Sequence, residues 1–404
     1  MVLGKVVGHG KPVPPTLFTE NRSGMGVEWP PLAWLLTPHR LFRRSLLEAH
    51  GLRFPEGRRR LEDQVFVLGA LFRTNRVSVL ADYPCYHWSL RNRQTSASAD
   101  EFDPTVYYRN LEEVLDIVDQ HTEPGALRDR LYLRWYRGKV LSRVSGTLFL
   151  NRTPEARRAR FGEIRDLMER RFPPRLDAHL PMGLRVRSAL VRGGTVEQLE
   201  RLAELETRLD PRVAIADVDL AGDEVALRLE LTVADAAGLL RFEHNGDGRR
   251  WRPPAELAGD LPAGCLDATG AFDGNDAHVL IRATKQAEEF LLPATVRTRL
   301  VPDDATPGRA RLALGIDSRV DTHSEAAGRP LRAGEHVVRV VAYVAGFRLS
   351  APVTRGSSDM RLVIAVDGDG QASIPRLTWK QRVAARAPAV RHAVVRAKAA
   401  LRAR

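Results

Sequence analysis

Glu62 and Asp63 stand side by side at the head of an apolar run, Val65-Phe66-Val67-Leu68. Such a pair can do proton-transfer chemistry. One carboxylate takes the proton of an attacking hydroxyl while its neighbour orients the site, a contribution of roughly 10²–10⁴-fold in rate. The same pair can serve structure instead, its charges opposing the dipole at a helix N-terminus. A carboxylate at its ordinary pKa of about 4 is a weak base, so the catalytic reading requires burial around Asp63.

Other chemistries are excluded by spacing. The eleven histidines contain no His-Glu-x-x-His and no Cys/His set at zinc spacing, and no Gly-x-Ser-x-Gly elbow occurs. The two cysteines, Cys85 and Cys265, lie far apart, which rules out a disulfide framework and fits a reducing cytoplasm. The glycine-rich start, Gly4 to Lys11, is not a phosphate loop: Lys5 stands where the first glycine belongs and Pro12 where the magnesium-holding hydroxyl belongs. It reads as loop.

The positioning elements come next. Residues 1–36 read as loops plus a strand or two, 38–50 as a helix stopped by Gly51, and 61–73 as the helix that carries the acid pair. Val77–Ala81 and Cys85–Trp88 read as two strands. From Pro104 to about Leu205 apolar residues recur at helical spacing, with Thr153 capping a helix that opens at Pro154. After Asp210-Pro211 the pattern changes to short alternating runs such as Val225–Val233, about eight strands without helices, which predicts an immunoglobulin-like β-sandwich.

The stretch from Leu41-Phe42-Arg43-Arg44-Ser45-Leu46-Leu47 through Gly51-Leu52-Arg53-Phe54-Pro55-Glu56-Gly57 to Leu61-Glu62-Asp63 resembles the acceptor half of family-2 glycosyltransferases. So does Ala81-Asp82-Tyr83-Pro84-Cys85-Tyr86-His87-Trp88, followed by Arg91 and Thr95-Ser96-Ala97-Ser98. The resemblance covers about residues 1–150. It implies inverting transfer, on a GT-A fold, from a nucleotide sugar to a cell-surface polymer or its precursor, such as teichoic acid. Asp63 matches the general base, and Glu62 would orient the site or bind the acceptor. His87 falls where a metal or diphosphate ligand can lie, or is a plain histidine at a strand end. Arg91 and Arg93 would hold the leaving diphosphate by charge-assisted bonds, or belong to a solvated loop. His39 and Arg40 are acceptor-cleft candidates.

The family's nucleotide-binding half, ending in an Asp-x-Asp that holds Mg²⁺ or Mn²⁺, has no counterpart here. That divalent metal is expected of the full-length family member. Asp217-Val218-Asp219 and Asp367-Gly368-Asp369 read as strand and turn acids. The chain reads as N-terminally truncated, with the expectation that this polypeptide alone transfers no sugar.

The β-region resembles accessory domains of teichoic-acid glycosyltransferases of Gram-positive bacteria, which implies a homo-oligomer. The rival reading is a non-catalytic glycan-binding or oligomerisation protein that uses this sandwich; Phe242 and Trp251 are candidates to stack on sugar rings, with core packing the default for each. The expected organisation is therefore a partial α/β GT-A half (1–103), a helical extension (104–209), a β-sandwich (210–370) and a basic amphipathic helical tail (376–404).

Composition sets the outer bounds. The 404 residues are 44% hydrophobic and 28% charged, which fits a folded chain and not a disordered one. The formal charge is +12, but nine Lys/Arg and no acid lie in the last 29 residues, so the remaining 375 carry 12 − 9 = +3. That near balance argues against a nucleic-acid surface and places the basic character in a tail suited to an anionic membrane. The expected location is cytoplasmic and peripheral on the inner face of the membrane. Only six of the 62 basic residues are Lys, which points to a GC-rich genome.

Overall fold

The computed structural model describes residues 1–9, 13, 17–57, 59–89, 103–245, 248–259, 261–268, 272, 274–284, 289–292, 294–302, 308–323, 330–355 and 360–375. The basic tail and the Arg91/Arg93 segment lie outside them.

The first part holds β1 (Val2–His9), β2 (Arg22–Met25), α1 (Pro30–Trp34), α2 (Arg44–Ala49), α3 (Glu62–Leu71) and β3 (Val77–Ser89). The strands form a sheet in the order β1-β3-β2, with β1 parallel and β2 antiparallel to β3. Three expectations are corrected here. The glycine-rich start is mostly strand, because Val2, Leu3, Val6 and Val7 supply β1. At Gly4 the backbones approach so closely that a Cβ would stand 2.4 Å from Cys85 Cβ, so the glycine serves sheet packing. The two strands expected at 77–88 are one, with an irregularity where Gly4 pairs Leu80 and Lys5 pairs Pro84. Pro84 lacks the N–H that a ladder needs, and the register slips at that point. Finally, the helix expected from 38 begins only at Arg44. Val2 and Leu41 exchange backbone bonds of 2.9 and 2.8 Å, which hold Leu41 against the sheet and out of any helix.

The second part is helical: α4 (Pro104–His121), α5 (Ala126–Trp135), α6 (Gly146–Leu150), α7 (Pro154–Arg171), α8 (Met182–Gly193) and α9 (Val196–Thr207). Between α5 and α6 the chain makes a π-helical turn at Tyr136–Val140 and a 3₁₀ turn at Leu141–Val144. Trp135, Tyr136, Phe149 and Phe172 are fully buried in its core. Thr153 accepts from Ala156 N at 3.3 Å, as the cap at Pro154 requires. Thr195 and Gln198 form a reciprocal capping box: Gln198 N donates to Thr195 Oγ1 and Thr195 N to Gln198 Oε1, at 3.4 and 2.7 Å. Thr195→Ala is expected to cost about 1 kcal/mol, read as a lower urea midpoint with an unchanged slope.

The third part is a connected twelve-stranded network, more than the eight strands expected. Its strands are β4 (Asp210–Ala221), β5 (Glu224–Ala234), β6 (Arg241–Asn245), β7 (Gly248–Trp251), β8 (Asp276–Ala283), β9 (Glu289–Leu292), β10 (Ala294–Pro302), β11 (Arg309–Asp321), β12 (Gly334–Val344), β13 (Phe347–Thr354), β14 (Val363–Val366) and β15 (Ala372–Ser373). The central path runs β15-β14-β12-β13-β4-β5-β11-β6-β7. Pairing is antiparallel except at β13 and β4, which join in parallel through Val353–Val213 and Thr354–Ala214. Along β5 the residues Val225, Leu227, Leu229, Leu231 and Val233 are all buried, the single-parity face that its alternation dictates. A short helix at Ala255–Ala258 and a 3₁₀ turn at Ala263–Leu266 interrupt the strands, where none was expected. No helix among the described residues is long and apolar enough to cross a membrane.

Candidate functional site

Helix α3 places the acid pair. Its N-cap, Leu61, has a left-handed backbone with φ 63°. For a leucine that geometry costs about 1–3 kcal/mol, here held in place by a buried side chain. It turns the chain so that Glu62 and Asp63 enter the first helical turn. Gln64 N donates to Asp63 Oδ1 at 2.8 Å. Burial pushes the Asp63 carboxyl above its ordinary range, and the charge of Glu62 adds to the push; the Gln64 N–H, Lys139 and Arg134 oppose it.

The counter-charges come from the helical part. Gln64 is buried, and its Oε1 accepts from Trp135 Nε1 at 2.7 Å and from an Arg134 terminal nitrogen at 3.3 Å. These bonds fasten α3 to the end of α5. The other terminal nitrogen of Arg134 donates to Trp34 O at 3.1 Å. Burial lowers the Arg134 guanidinium to about 10 against the pull of Asp63. Lys139, on the π-helical turn, is lowered to about 8 by burial, then by Arg134 and Arg143, with Asp63 opposing. Lys139 makes no hydrogen bond or ion pair among the described residues. Arg143 spends a hydrogen bond on a neutral group, Tyr107 Oη at 3.4 Å, and its guanidinium lies over that ring. Asp63 thus lies within electrostatic reach of Arg134 and Lys139, neither of which has an acid partner among the described residues other than Asp63.

The sequence candidates fall unevenly around this cluster. Arg40 joins it: burial and the nearby Arg134 lower it to about 10, and it donates to the carbonyls of Thr37 and Leu35. His39 stacks on Tyr86 at 3.9 Å and meets Trp88 edge-on at 5.5 Å. His87 is exposed on β3, opposite Val7 in the register, and alternation puts it on the face away from Tyr86 and Trp88. Among the described residues His87 belongs to no group of three metal-capable side chains; the group present is Asp223, Asp321 and His323, in the β-region. The described residues therefore do not by themselves assemble a divalent-ion site beside Asp63. Phe242 and Trp251, the candidates for sugar stacking, are fully buried, and Trp251 Nε1 donates to Leu239 O at 2.7 Å. They are core residues, the default reading of each, and not a sugar-stacking surface.

Sequence reasoning missed Arg134, Lys139 and Arg143. One signal was available: Lys139 is the single lysine between Lys11 and Lys285, set in a run whose Trp135, Val140, Leu141 and Val144 are core.

Residues 104–203 match the family described as the glycosyl transferase TarS linker domain, which is the helical part that supplies these cations. The poly(ribitol-phosphate) beta-glucosyltransferase of Bacillus spizizenii is 29% identical over 119 residues, 29% of this chain and 19% of that protein. The poly(ribitol-phosphate) beta-N-acetylglucosaminyltransferase TarS of Staphylococcus aureus is 31% identical over 91 residues, 22% of this chain and 16% of that protein. Each curated match thus spans less than a fifth of the relative's length. Among solved structures, S. aureus TarS aligns over 94% of this chain and 65% of its own, at 16% identity and a TM-score of 0.45. TarS 1–349 in complex with UDP-GlcNAc aligns over 59% of this chain and 65% of its own, at 22% identity and a TM-score of 0.44. Over part of its length the chain is thus similar to TarS-type poly(ribitol-phosphate) glycosyltransferases, and its residues 104–203 match the TarS linker-domain family.

Proposed function

We propose that this chain is the acceptor side of a sugar transferase that works on a poly(ribitol phosphate)-like polymer, with Asp63 as general base. The observation that carries the reading is the meeting of a desolvated carboxylate on α3 with the cations of the linker domain. Asp63 takes the proton of an acceptor hydroxyl as its oxygen attacks the anomeric carbon of a nucleotide sugar. The new carbon–oxygen bond forms as the bond to the diphosphate oxygen breaks, and the diphosphate leaves with that electron pair. Attack from the side opposite the leaving group inverts the anomeric centre. A bound divalent ion would neutralise the diphosphate. Arg134 and Lys139 hold the phosphodiester next to the attacking hydroxyl. A phosphate there relieves the mutual repulsion of the cations and leaves Asp63 free to accept the proton. Glu62 helps to keep the Asp63 proton affinity high. The β-region forms the immunoglobulin-like accessory sandwich that the strand alternation suggests.

Lys139 tests the reading. With its pKa lowered to about 8, the ammonium is charged at neutral pH and lost as the pH rises through that value. Acceptor affinity is expected to fall across the same range. In a chain joined at its N-terminus to a nucleotide-sugar-binding half, Lys139→Met is expected to raise the KM for poly(ribitol phosphate) by about 10-fold and to flatten this alkaline limb. Stability moves the opposite way. Lys139 binds its proton more weakly folded than unfolded, so unfolding takes up protons between about pH 8 and the ordinary 10.5. Stability therefore rises with pH across that window, and Lys139→Met removes the rise. An unchanged KM would reject Lys139 as an acceptor contact.

A further inference from the structure

A groove of about 880 Å³ opens between the linker domain and the β-region, within the size range of roughly 300–1,000 Å³ usual for ligand clefts. One wall carries Trp34, Arg143 and Leu148; the other carries Asp276, Tyr343 and Arg348. The second wall is a row of cross-strand neighbours, since Tyr343 pairs Arg348 on β13 and Asp276 on β8. The two walls are fixed to each other. The β12–β13 hairpin tip at Ala345-Gly346 lies on the start of α8, where Gly183 N donates to Ala345 O at 2.7 Å. Asn275 Oδ1 accepts from Ala345 N at 2.7 Å on the other side. Gly346, at φ 91°, comes so near that a Cβ would stand 3.1 Å from Leu184 N, so the tip needs glycine there.

The lining is unusual for a surface that meets only water. Trp34 is 53% exposed and Tyr343 41%. Arg348 has no acid partner among the described residues, and Arg143 bonds a neutral phenol. Of the two acids present, Glu206 is paired with Arg187 and Asp276 lies 3.4 Å from His278 Nε2. With Arg137, Arg143 and Arg348 set against Asp276, the lining keeps a net positive charge. The groove also reaches the elements that carry the site at Asp63: it is lined by Gly138, beside Lys139, and by Trp34, whose carbonyl accepts from Arg134.

We infer that a poly(polyol phosphate) runs from Asp63 along this groove, its phosphates taken by Arg143 and Arg348 and its polyol carbons laid on Trp34 and Tyr343. The inference rests on the acceptor reading above and extends it to the β-region, which then acts as a ruler for polymer length rather than as a separate binding module. Cations beside aromatic faces suit a ligand that carries both charge and carbon chain.

Binding of a short oligo(ribitol phosphate) and of long poly(ribitol phosphate) to the full 404-residue chain, followed by titration calorimetry, tests this. Arg348→Glu combined with Tyr343→Ala is expected to weaken long-polymer binding by at least about 10-fold and to leave short-oligomer binding as it was. Both side chains are exposed, so circular dichroism should show an unchanged fold. Lys139→Met is expected to weaken both ligands. Long-polymer binding that is indifferent to the double substitution overturns the groove. If Lys139→Met still weakens both ligands in that case, the acceptor reading stands without it. If the unsubstituted chain binds neither ligand, both readings fall.

Discussion

With Asp63 as the proposed base, Asp63→Asn is expected to lower sugar transfer by about 10²–10⁴-fold, the usual contribution of a positioned base, while the fold is kept. Asparagine preserves the shape and can still accept the bond from Gln64 N, so the first turn of α3 has no reason to move. What is lost is a group that can take a proton. The raised Asp63 pKa also fixes the sign of the stability change. A carboxyl that holds its proton more tightly folded than unfolded contributes stability in acid, and that contribution is lost as the pH rises through its folded pKa. At neutral pH the charged form is therefore a burden on the fold. Asp63→Asn should be as stable as the parent or more so, the pattern of a site that gives up stability for activity. The measurement pairs a transfer assay, in a chain joined to a nucleotide-sugar-binding half, with thermal unfolding. Turnover within a few-fold of the parent would assign the base to another residue. A large loss of both activity and stability would make Asp63 a structural acid at a helix N-terminus.

Arg187→Met is expected to cost about 3–5 kcal/mol, the price of stranding a buried charge. Arg187 on α8 and Glu206 on α9 are 3% and 9% exposed and form an ion pair. The other Glu206 oxygen accepts from Gly146 N at 2.7 Å, where α6 begins. Removing the guanidinium leaves Glu206 with that single bond, at the wall of the groove where little of its side chain meets water. The lesion reaches three helices of the linker domain at once. Neutralising the survivor should recover much of the loss, so Arg187→Met with Glu206→Gln is expected to unfold at higher urea than Arg187→Met alone. The difference between the sum of the single effects and the double effect measures the coupling. A single variant as stable as the parent would show that the pair is solvated in solution.

The parts of this molecule legible in its sequence are those fixed by neighbours along the chain. Thr153-Pro154 and Thr195 mark helix starts because caps act within one turn. Val225 to Val233 announces a strand because one face of β5 is buried along its whole length. The acid pair was legible for the same reason, since α3 begins where the acids do. Residues whose state depends on distant segments were not. Leu41 looks helical until Val2 claims its backbone. Phe242 and Trp251 leave sugar stacking open beside core packing until Leu239 and Phe272 are seen to enclose them. Arg134, Lys139 and Arg143 lie far along the chain from Asp63, and only the bonds of Gln64 to α5 bring the two together.

The π-helical turn at Tyr136–Val140 gives this meeting a rotational form. Such a turn holds one residue beyond the α-helical repeat, and each residue of an α-helix advances the chain by about 100° of rotation. Trp135 is pinned to Gln64 before the turn, and Leu141 and Val144 are sunk in the core after it. The widened turn and the tighter 3₁₀ turn that follows it at Leu141–Val144 together take up the change of helical phase between those fixed points. Lys139 comes within electrostatic reach of Asp63 from this irregular stretch and not from a regular α-helix. Deleting one residue there would keep the composition of the linker domain almost unchanged and rotate its lysine away from Asp63.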